Sequence, residues 1–125
     1  MARILLAEDD TGLRNVLTAA LRKAGHKVDA VDCGRSGHAR IHLQRYDLLL
    51  ADVVMPGMDG IELARRAGRR WPGIRVMFIT GFAAVALSPR NDPPADARVL
   101  SKPFHLNDLT RQVEEVLAVE TTPGA

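Results

Sequence analysis

The sequence predicts an α/β fold in which helices cover a single parallel β-sheet. Short apolar runs alternate with amphipathic segments along the chain, and three of the five runs are continuously apolar. Continuous apolar runs are typical of central parallel strands, which are buried on both faces. The predicted strands span residues 3–7, 26–31, 48–51, 76–79 and 98–100. The 125 residues are enough for one domain with a substantial core.

The first helix is the most clearly predicted, because its apolar residues follow the i, i+3, i+4, i+7 spacing of one buried face. That stripe consists of Leu13, Val16, Leu17, Ala20, Leu21 and Ala24. Asp10 or Thr11 can accept hydrogen bonds from the free N-terminal amides, and Gly25 suits the turn that ends the helix. A second helix is predicted over residues 34–43, with a poorer apolar stripe.

Two further long helices and one short one are predicted. The third helix begins at Asp59, which has capping-box spacing to Glu62, and ends near Arg70, because Trp71 precedes a proline. A short helix over 82–87 runs into several prolines, so residues 88–95 are predicted to be irregular. The last helix carries the apolar residues Leu106, Leu109, Val113, Val116 and Leu117. Residues 1–119 are predicted to form the domain and 120–125 a flexible tail.

Composition and charge argue against several classes of function. Hydrophobic residues make up 46% of the chain and charged residues 26%, which is typical of a soluble globular protein. The apolar stretches are too short to span a membrane and no signal peptide is evident, so the cytoplasm is the expected location. The net charge of +2 is dispersed and aromatic residues make up only 4%, so no DNA binding is expected.

Polar residues follow four of the predicted strands at the point where each strand ends. They are Glu8 and Asp9 after the first strand, Asp52 after the third, Thr80 after the fourth and Lys102 after the fifth. Open parallel sheets bind ligands beyond the carboxyl ends of their strands. We therefore expect these five side chains to converge on one edge of the sheet.

Three clustered carboxylates indicate a cation site. At about 4 Å separation they would repel by about 4 kcal/mol per pair at an effective dielectric constant near 20. A hard divalent cation relieves this repulsion, and few carboxylates completed by water and phosphate oxygens suit Mg²⁺. Ca²⁺ is disfavoured because the chain lacks a D-x-D-x-D-G loop.

A carboxylate surrounded by Mg²⁺, an ammonium group and a hydroxyl is typical of a phosphoryl-transfer site. In this interpretation Asp52 is the nucleophile that forms an acyl phosphate, while Lys102 and Thr80 stabilise the phosphoryl oxygens. Lys102 is also expected to form an ion pair with Asp52 in the unphosphorylated protein.

Four motifs together resemble the response-regulator receiver domain of two-component systems. They are E-D-D at 8–10, D-V-V-M-P-G-M-D-G at 52–60, I-T-G at 79–81 and K-P-F at 102–104, within a match over about residues 2–119. The resemblance implies a flavodoxin-like (βα)5 fold with strand order 2-1-3-4-5. It also implies Mg²⁺-dependent phosphorylation of Asp52 by a histidine kinase or histidine phosphotransferase, a metal contact from the Val54 carbonyl, and a cis bond before Pro103.

The sequence departs from the receiver pattern at several positions. Glu8 stands where an aspartate is more common, and Val99 stands where the family usually carries an aromatic switch residue. By the same resemblance, Thr80, Val99 and Phe82 are the expected switch and output positions, and the valine at position 99 predicts a non-standard output surface. Because Val54 and Phe82 offer no polar group to orient water, we expect slow self-dephosphorylation.

Two longer stretches are similar to the CpdR family of single-domain receivers. They are M-F-I-T-G-F-A-A-V-A-L at 77–87 and V-L-S-K-P-F-H-L at 99–106. This similarity implies that the protein controls regulated proteolysis, with the ClpXP protease as a possible output partner. As a stand-alone receiver, the chain is expected not to be an enzyme beyond assisting its own phosphorylation and dephosphorylation.

Two alternatives remain open. One is a phosphorelay intermediate that passes the phosphoryl group to a histidine phosphotransferase. The other is a regulatory fragment of a DNA-binding response regulator, which the initial Met and the missing linker disfavour. The remaining polar residues are interpreted as surface or packing residues: His26, His38, His42, His105, Arg65, Arg66, Arg69, Arg70 and the single cysteine, Cys33.

Overall fold

A computed structural model describes residues 1–81 and 97–118, which form a five-stranded parallel sheet. The strands are β1 (Arg3–Ala7), β2 (Lys27–Val31), β3 (Leu48–Asp52), β4 (Arg75–Thr80) and β5 (Arg98–Ser101). Their order across the sheet is β2-β1-β3-β4-β5, so the predicted fold class and strand order are confirmed. The strand predicted from residue 26 begins one residue later, and β3, β4 and β5 extend beyond their predicted ends.

Helices lie on both faces of the sheet. They are α1 (Thr11–Lys23), α2 (Gly34–Leu43), α3 (Gly60–Arg70) and α4 (Leu106–Ala118). The predicted helix over 82–87, the irregular segment 88–95 and the tail 120–125 lie outside the described residues. Among the helices that are described, none combines the length and the apolar character needed to cross a bilayer.

The strands divide the core into two clusters because their side chains alternate between the faces. Leu5 and Leu49 point into the cluster that α2 and α3 cover. Ile4 and Leu48 point into the cluster that α1 and α4 cover. Both faces of β1 and β3 are therefore buried, which explains why these strands are continuously apolar in sequence.

The helix termini follow local sequence signals. Asp10 caps α1 by accepting a hydrogen bond from the Leu13 amide at 2.9 Å, and Asp59 caps α3 by accepting from the Glu62 amide at 2.8 Å. The Glu62 carboxylate pairs with arginines of α3 instead of completing the predicted capping box. After α1 the chain turns at Gly25, whose φ of 99° favours glycine.

The stripe predicted for α1 is wrong at two of its six positions. Leu17 and Leu21 are fully buried, whereas Val16 is 46% exposed and Ala24 is also exposed. The apolar spacing identifies a helix face that is wider than the surface on which α1 packs. The buried residues of α1 face β2, β1 and α4, the elements that this helix contacts.

Tyr46 provides a test of packing on the α2–α3 side of the sheet. Its side chain is buried and its hydroxyl donates to Asp29 Oδ2 at 2.7 Å. Burial, followed by the hydrogen bond to the negatively charged Asp29, raises the pKa of Tyr46 from 10.0 to about 12. The neutral phenol therefore stabilises the folded state below pH 10, and this contribution is lost as the pH rises through about 12.

The measurement is an absorbance titration of phenolate, and it is unambiguous because Tyr46 is the single tyrosine. We expect the folded protein to titrate near pH 12. The guanidinium-unfolded protein should titrate near pH 10, the ordinary value for tyrosine. A folded protein that titrates near pH 10 while circular dichroism still shows its helices would contradict this burial.

Candidate functional site

The topology brings the predicted site residues to one edge of the sheet. Asp52 is the last residue of β3 and Thr80 the last residue of β4. Glu8 and Asp9 directly follow β1, and Lys102 directly follows β5. Because all five strands are parallel, these ends lie on the same side, where open parallel sheets bind their ligands.

Lys102 connects two of the carboxylates. Its Nζ lies 2.7 Å from Asp52 Oδ2, so the predicted ion pair is present, and 3.1 Å from Glu8 Oε1. The second contact was not predicted from the sequence. Glu8 Oε2 accepts a hydrogen bond from the Asp10 amide at 3.1 Å, so both oxygens of this buried carboxylate have donors.

The surroundings of Glu8 favour its protonated form. Burial raises the pKa of Glu8, and the nearby charge of Asp52 raises it further. The Asp10 amide and the Lys102 ammonium group lower the pKa, but they do not cancel the effect of burial. A cation bound beside Glu8 would stabilise the ionised form of this carboxyl group.

The surroundings of Lys102 favour its charged form. Burial alone would lower the pKa of its ammonium group, but the hydrogen bonds to Asp52 and Glu8 outweigh that effect and raise the pKa. The side chain is only 29% exposed, so little water screens these contacts. Lys102 is therefore a fixed positive charge beside the Asp52 carboxylate.

The three carboxylates of Glu8, Asp9 and Asp52 form a potential cation site. Each offers an oxygen, and these oxygens lie within 4.8 Å of one another. Two of the side chains are buried, whereas Asp9 is exposed and open to solvent. An all-oxygen donor set with one open side fits a hard cation that retains water ligands, such as Mg²⁺.

The loop after β3 holds Asp52 in place. The Val54 amide donates to Asp52 Oδ1 at 3.2 Å, and the Gly60 amide donates to the Val53 carbonyl at 2.9 Å. A Cβ on Gly60 would collide with the backbone carbonyl of Asp52. The start of α3 can therefore lie against the end of β3 only because residue 60 is glycine.

The end of β5 positions Lys102. The Lys102 amide donates to the Thr80 carbonyl at 2.8 Å, which ties the residue to the end of β4. The Lys102–Pro103 peptide bond is cis. Thr80 is fully buried at the same edge, so the ends of β4 and β5 bring this residue and the lysine to one site.

Of the three predicted switch positions, the structure describes Thr80 and Val99. Val99 is partly buried in β5, opposite Phe78 of β4, and packs against the core cluster that α2 and α3 cover. Phe82 lies outside the described residues.

His26, interpreted from the sequence as a surface or packing residue, is buried and has two partners that the sequence did not predict. Its side chain is buried, the Ala2 amide donates to Nδ1 at 3.1 Å, and Nε2 lies 2.7 Å from Glu114 Oε1. Because an amide can only donate, Nδ1 must carry a lone pair and Nε2 the proton. The imidazole thus links the N-terminus to α4. No local sequence pattern predicts the contact between His26 and Glu114, which are 88 residues apart.

Comparisons with known proteins agree with this arrangement. The model of the response regulator receiver domain family matches residues 4–114. The chain is 57% identical over 117 residues to the response regulator receiver protein CpdR of Brucella abortus (strain 2308), covering 94% of this chain and 98% of that protein. It spans only 23% to 52% of several other curated relatives that it matches.

Solved structures show the same fold. A CheY-like receiver domain protein from Methanospirillum hungatei JF-1 matches with a TM-score of 0.83 and 30% identity, over 94% of each chain. The response regulator TrrA from Thermotoga maritima, in complex with Mg²⁺-BeF, matches with a TM-score of 0.79 and 25% identity, over 93% of this chain and 99% of that one. This chain belongs to the response regulator receiver domain family.

Proposed function

We propose that this receiver accepts a phosphoryl group on Asp52 from a phosphohistidine donor and thereby changes a protein-interaction surface. One observation carries the proposal. The Asp52 carboxylate lies 2.7 Å from the Lys102 ammonium group, and carboxylate oxygens of Asp52, Glu8 and Asp9 lie within 4.8 Å of one another at the carboxyl edge of the sheet. A nucleophile, a fixed positive charge and a cation site are the parts that phosphoryl transfer requires.

In the proposed step, an Asp52 oxygen attacks the phosphorus of the phosphohistidine. The P–O bond forms as the P–N bond breaks, and the bonding electrons remain on the imidazole nitrogen, which is then protonated. The product on the chain is a mixed anhydride of Asp52. Lys102 Nζ, already 2.7 Å from Oδ2, offsets the negative charge that the phosphoryl oxygens bring.

The acidic residues would hold Mg²⁺ through Glu8, Asp9, Asp52 and the Val54 carbonyl. When bound, Mg²⁺ neutralises charge between the carboxylates and the incoming phosphoryl group. The TrrA receiver with Mg²⁺-BeF supports this assignment by similarity. Thr80, buried at the end of β4, is proposed to donate its hydroxyl to a phosphoryl oxygen.

The output is proposed to involve Thr80, Val99 and Phe82. Val99 packs on the core opposite Phe78 and has no ring to rotate, so a shift of Thr80 would reach the surface through β4 and β5 instead. The 57% identity to CpdR supports control of regulated proteolysis as the role, with a protease such as ClpXP as partner. The chemistry of the chain itself is limited to gaining and losing its own phosphoryl group.

The proposal is tested by intact mass after incubation with Mg²⁺ and acetyl phosphate. Wild type should gain one phosphoryl group, whereas Asp52→Asn, which keeps the side-chain shape but removes the nucleophile, should gain none. Asp32→Asn is the matched control, because Asp32 is an exposed carboxylate just after β2. Wild type without an adduct, beside a receiver that gains one, would refute the proposal.

The lifetime of the phosphoryl group is a second expected result. Val54 is 56% exposed beside Asp52 and carries no polar group that could orient an attacking water. We therefore expect the phosphoryl group on Asp52 to have a half-life of minutes or longer after the phosphodonor is removed. The loss of the phosphorylated mass with time measures this half-life. The replacement Val54→Gln should shorten it. A wild-type half-life of seconds would be incompatible with this account of Val54.

A further inference from the structure

A pair of histidines on α2 lies apart from the carboxylate site. His38 and His42 are one helical turn apart, and their Nε2 atoms are 3.1 Å from each other. Their ring centroids are 4.5 Å apart, at an interplanar angle of 73°. His42 is exposed and His38 is partly exposed, so water and solutes reach both rings.

The distance between the two nitrogens matches the bite of a metal ion. A metal bound to imidazole at about 2.0 to 2.1 Å, with an angle of about 90° to 110° between ligands, places the two nitrogens about 2.9 to 3.4 Å apart. Imidazoles at i and i+4 on one helix face are a recurring metal-ligand pair. We propose that His38 and His42 bind one Zn²⁺, Ni²⁺ or Cu²⁺ ion through Nε2, with water completing the coordination.

The two Nε2 atoms share a hydrogen bond, so one of them carries a proton, and metal binding requires that this proton move to Nδ1 or be released. Burial lowers the pKa of His38, and the charges of His42 and Arg66 lower it further, which favours the neutral form of this ring. Arg66 of α3 also opposes a cation. Its Nε is engaged by Glu62 Oε1 at 3.0 Å, and the negative charge of Glu62 acts on His38 in the opposite sense.

A metal at this position would stabilise α2. This helix has ten residues, two of which are Gly34 and Gly37, so its intrinsic helix propensity is low. The helical conformation holds the two Nε2 atoms 3.1 Å apart, so an ion that binds both favours the folded state over the unfolded chain. Binding to the folded state alone then raises stability in proportion to the logarithm of metal concentration.

Trp71 provides a local probe for the test. Its Nε1 donates to the Ile41 carbonyl at 2.9 Å, next to His42, and it is the single tryptophan of the chain. Cu²⁺ is added to the full chain in excess Mg²⁺, which suits carboxylates and not imidazoles. We expect quenching of Trp71 fluorescence that saturates with one equivalent, with micromolar affinity, and that EDTA reverses.

Substitutions locate the site. His38→Ala and His42→Ala should each weaken Cu²⁺ binding at least tenfold, whereas His105→Ala, which removes an exposed histidine before α4, should not. Zn²⁺ should raise the thermal unfolding temperature of wild type and leave that of His42→Ala unchanged. Because His42 is exposed, this variant should fold and still gain a phosphoryl group on Asp52. Equal Cu²⁺ affinity in wild type and His42→Ala would overturn the proposal.

Discussion

Replacing Lys102 by methionine is expected to slow phosphorylation of Asp52 by about 10²- to 10³-fold, the usual loss when one fixed charge-stabilising donor is removed. Methionine keeps most of the side-chain volume but removes the ammonium group that lies 2.7 Å from Asp52. The change also leaves Glu8 buried without its salt-bridge partner, which raises the pKa of Glu8 further. The rate is measured as the increase of the phosphorylated mass with time in Mg²⁺ and acetyl phosphate.

Lys23→Met is the matched control for the loss of a lysine. Lys23 lies in the last turn of α1 and is exposed, so its removal should leave the phosphorylation rate unchanged. Circular dichroism should show that both variants are folded. If Lys102→Met gains phosphate at the wild-type rate, then the ion pair with Asp52 is only a structural contact.

Gly60→Ala is expected to disturb both the fold and the site, although it adds only one methyl group. The added Cβ would meet the carbonyl of Asp52 and the Cα of Val53, which belong to rigid backbone. Either the start of α3 or the end of β3 must then move. We expect a loss of about 1 to 3 kcal/mol in the free energy of unfolding, typical of overpacking a core, together with slower phosphorylation because the Asp52 backbone is displaced.

The control for this variant lies in the same helix. Gly68→Ala adds a Cβ that meets no atom of another element within 4 Å, in the last turn of α3. Since alanine favours helix over glycine, we expect this change to stabilise the protein by about 0.5 to 1 kcal/mol. Urea unfolding followed by circular dichroism measures both. Equal stability of the two variants would show that α3 does not depend on close contact at Gly60.

Most of the fold could be predicted because its signals are local. The apolar runs that became β1 and β3 are continuous in sequence, and Asp10 and Asp59 cap the helices that follow them. The convergence of polar residues on one edge follows from parallel strands alone. This convergence could be predicted because it depends only on the order of strands and helices along the chain, which the sequence pattern indicates.

The remaining features depend on distances between elements, which a sequence pattern does not carry. Val16 fits the apolar period of α1 but lies beyond the surface that the sheet offers. The contact between Lys102 and Glu8 depends on how far β5 and β1 bring the two side chains together. The need for glycine at position 60 comes from the approach of α3 to Asp52, which is visible only in three dimensions.

The shared contacts of Lys102 also determine the charge balance of the site. With a cation present to favour the ionised form of Glu8, the carboxylates of Glu8, Asp9 and Asp52 set three negative charges against one ammonium group, which leaves two negative charges for the cation to balance. One divalent cation would make the cluster electrically neutral. Converting Asp52 to an acyl phosphate exchanges one negative charge for about two. With the cation bound, the site would change from neutral to about one negative charge on phosphorylation. A partner can detect this added charge without any change in fold.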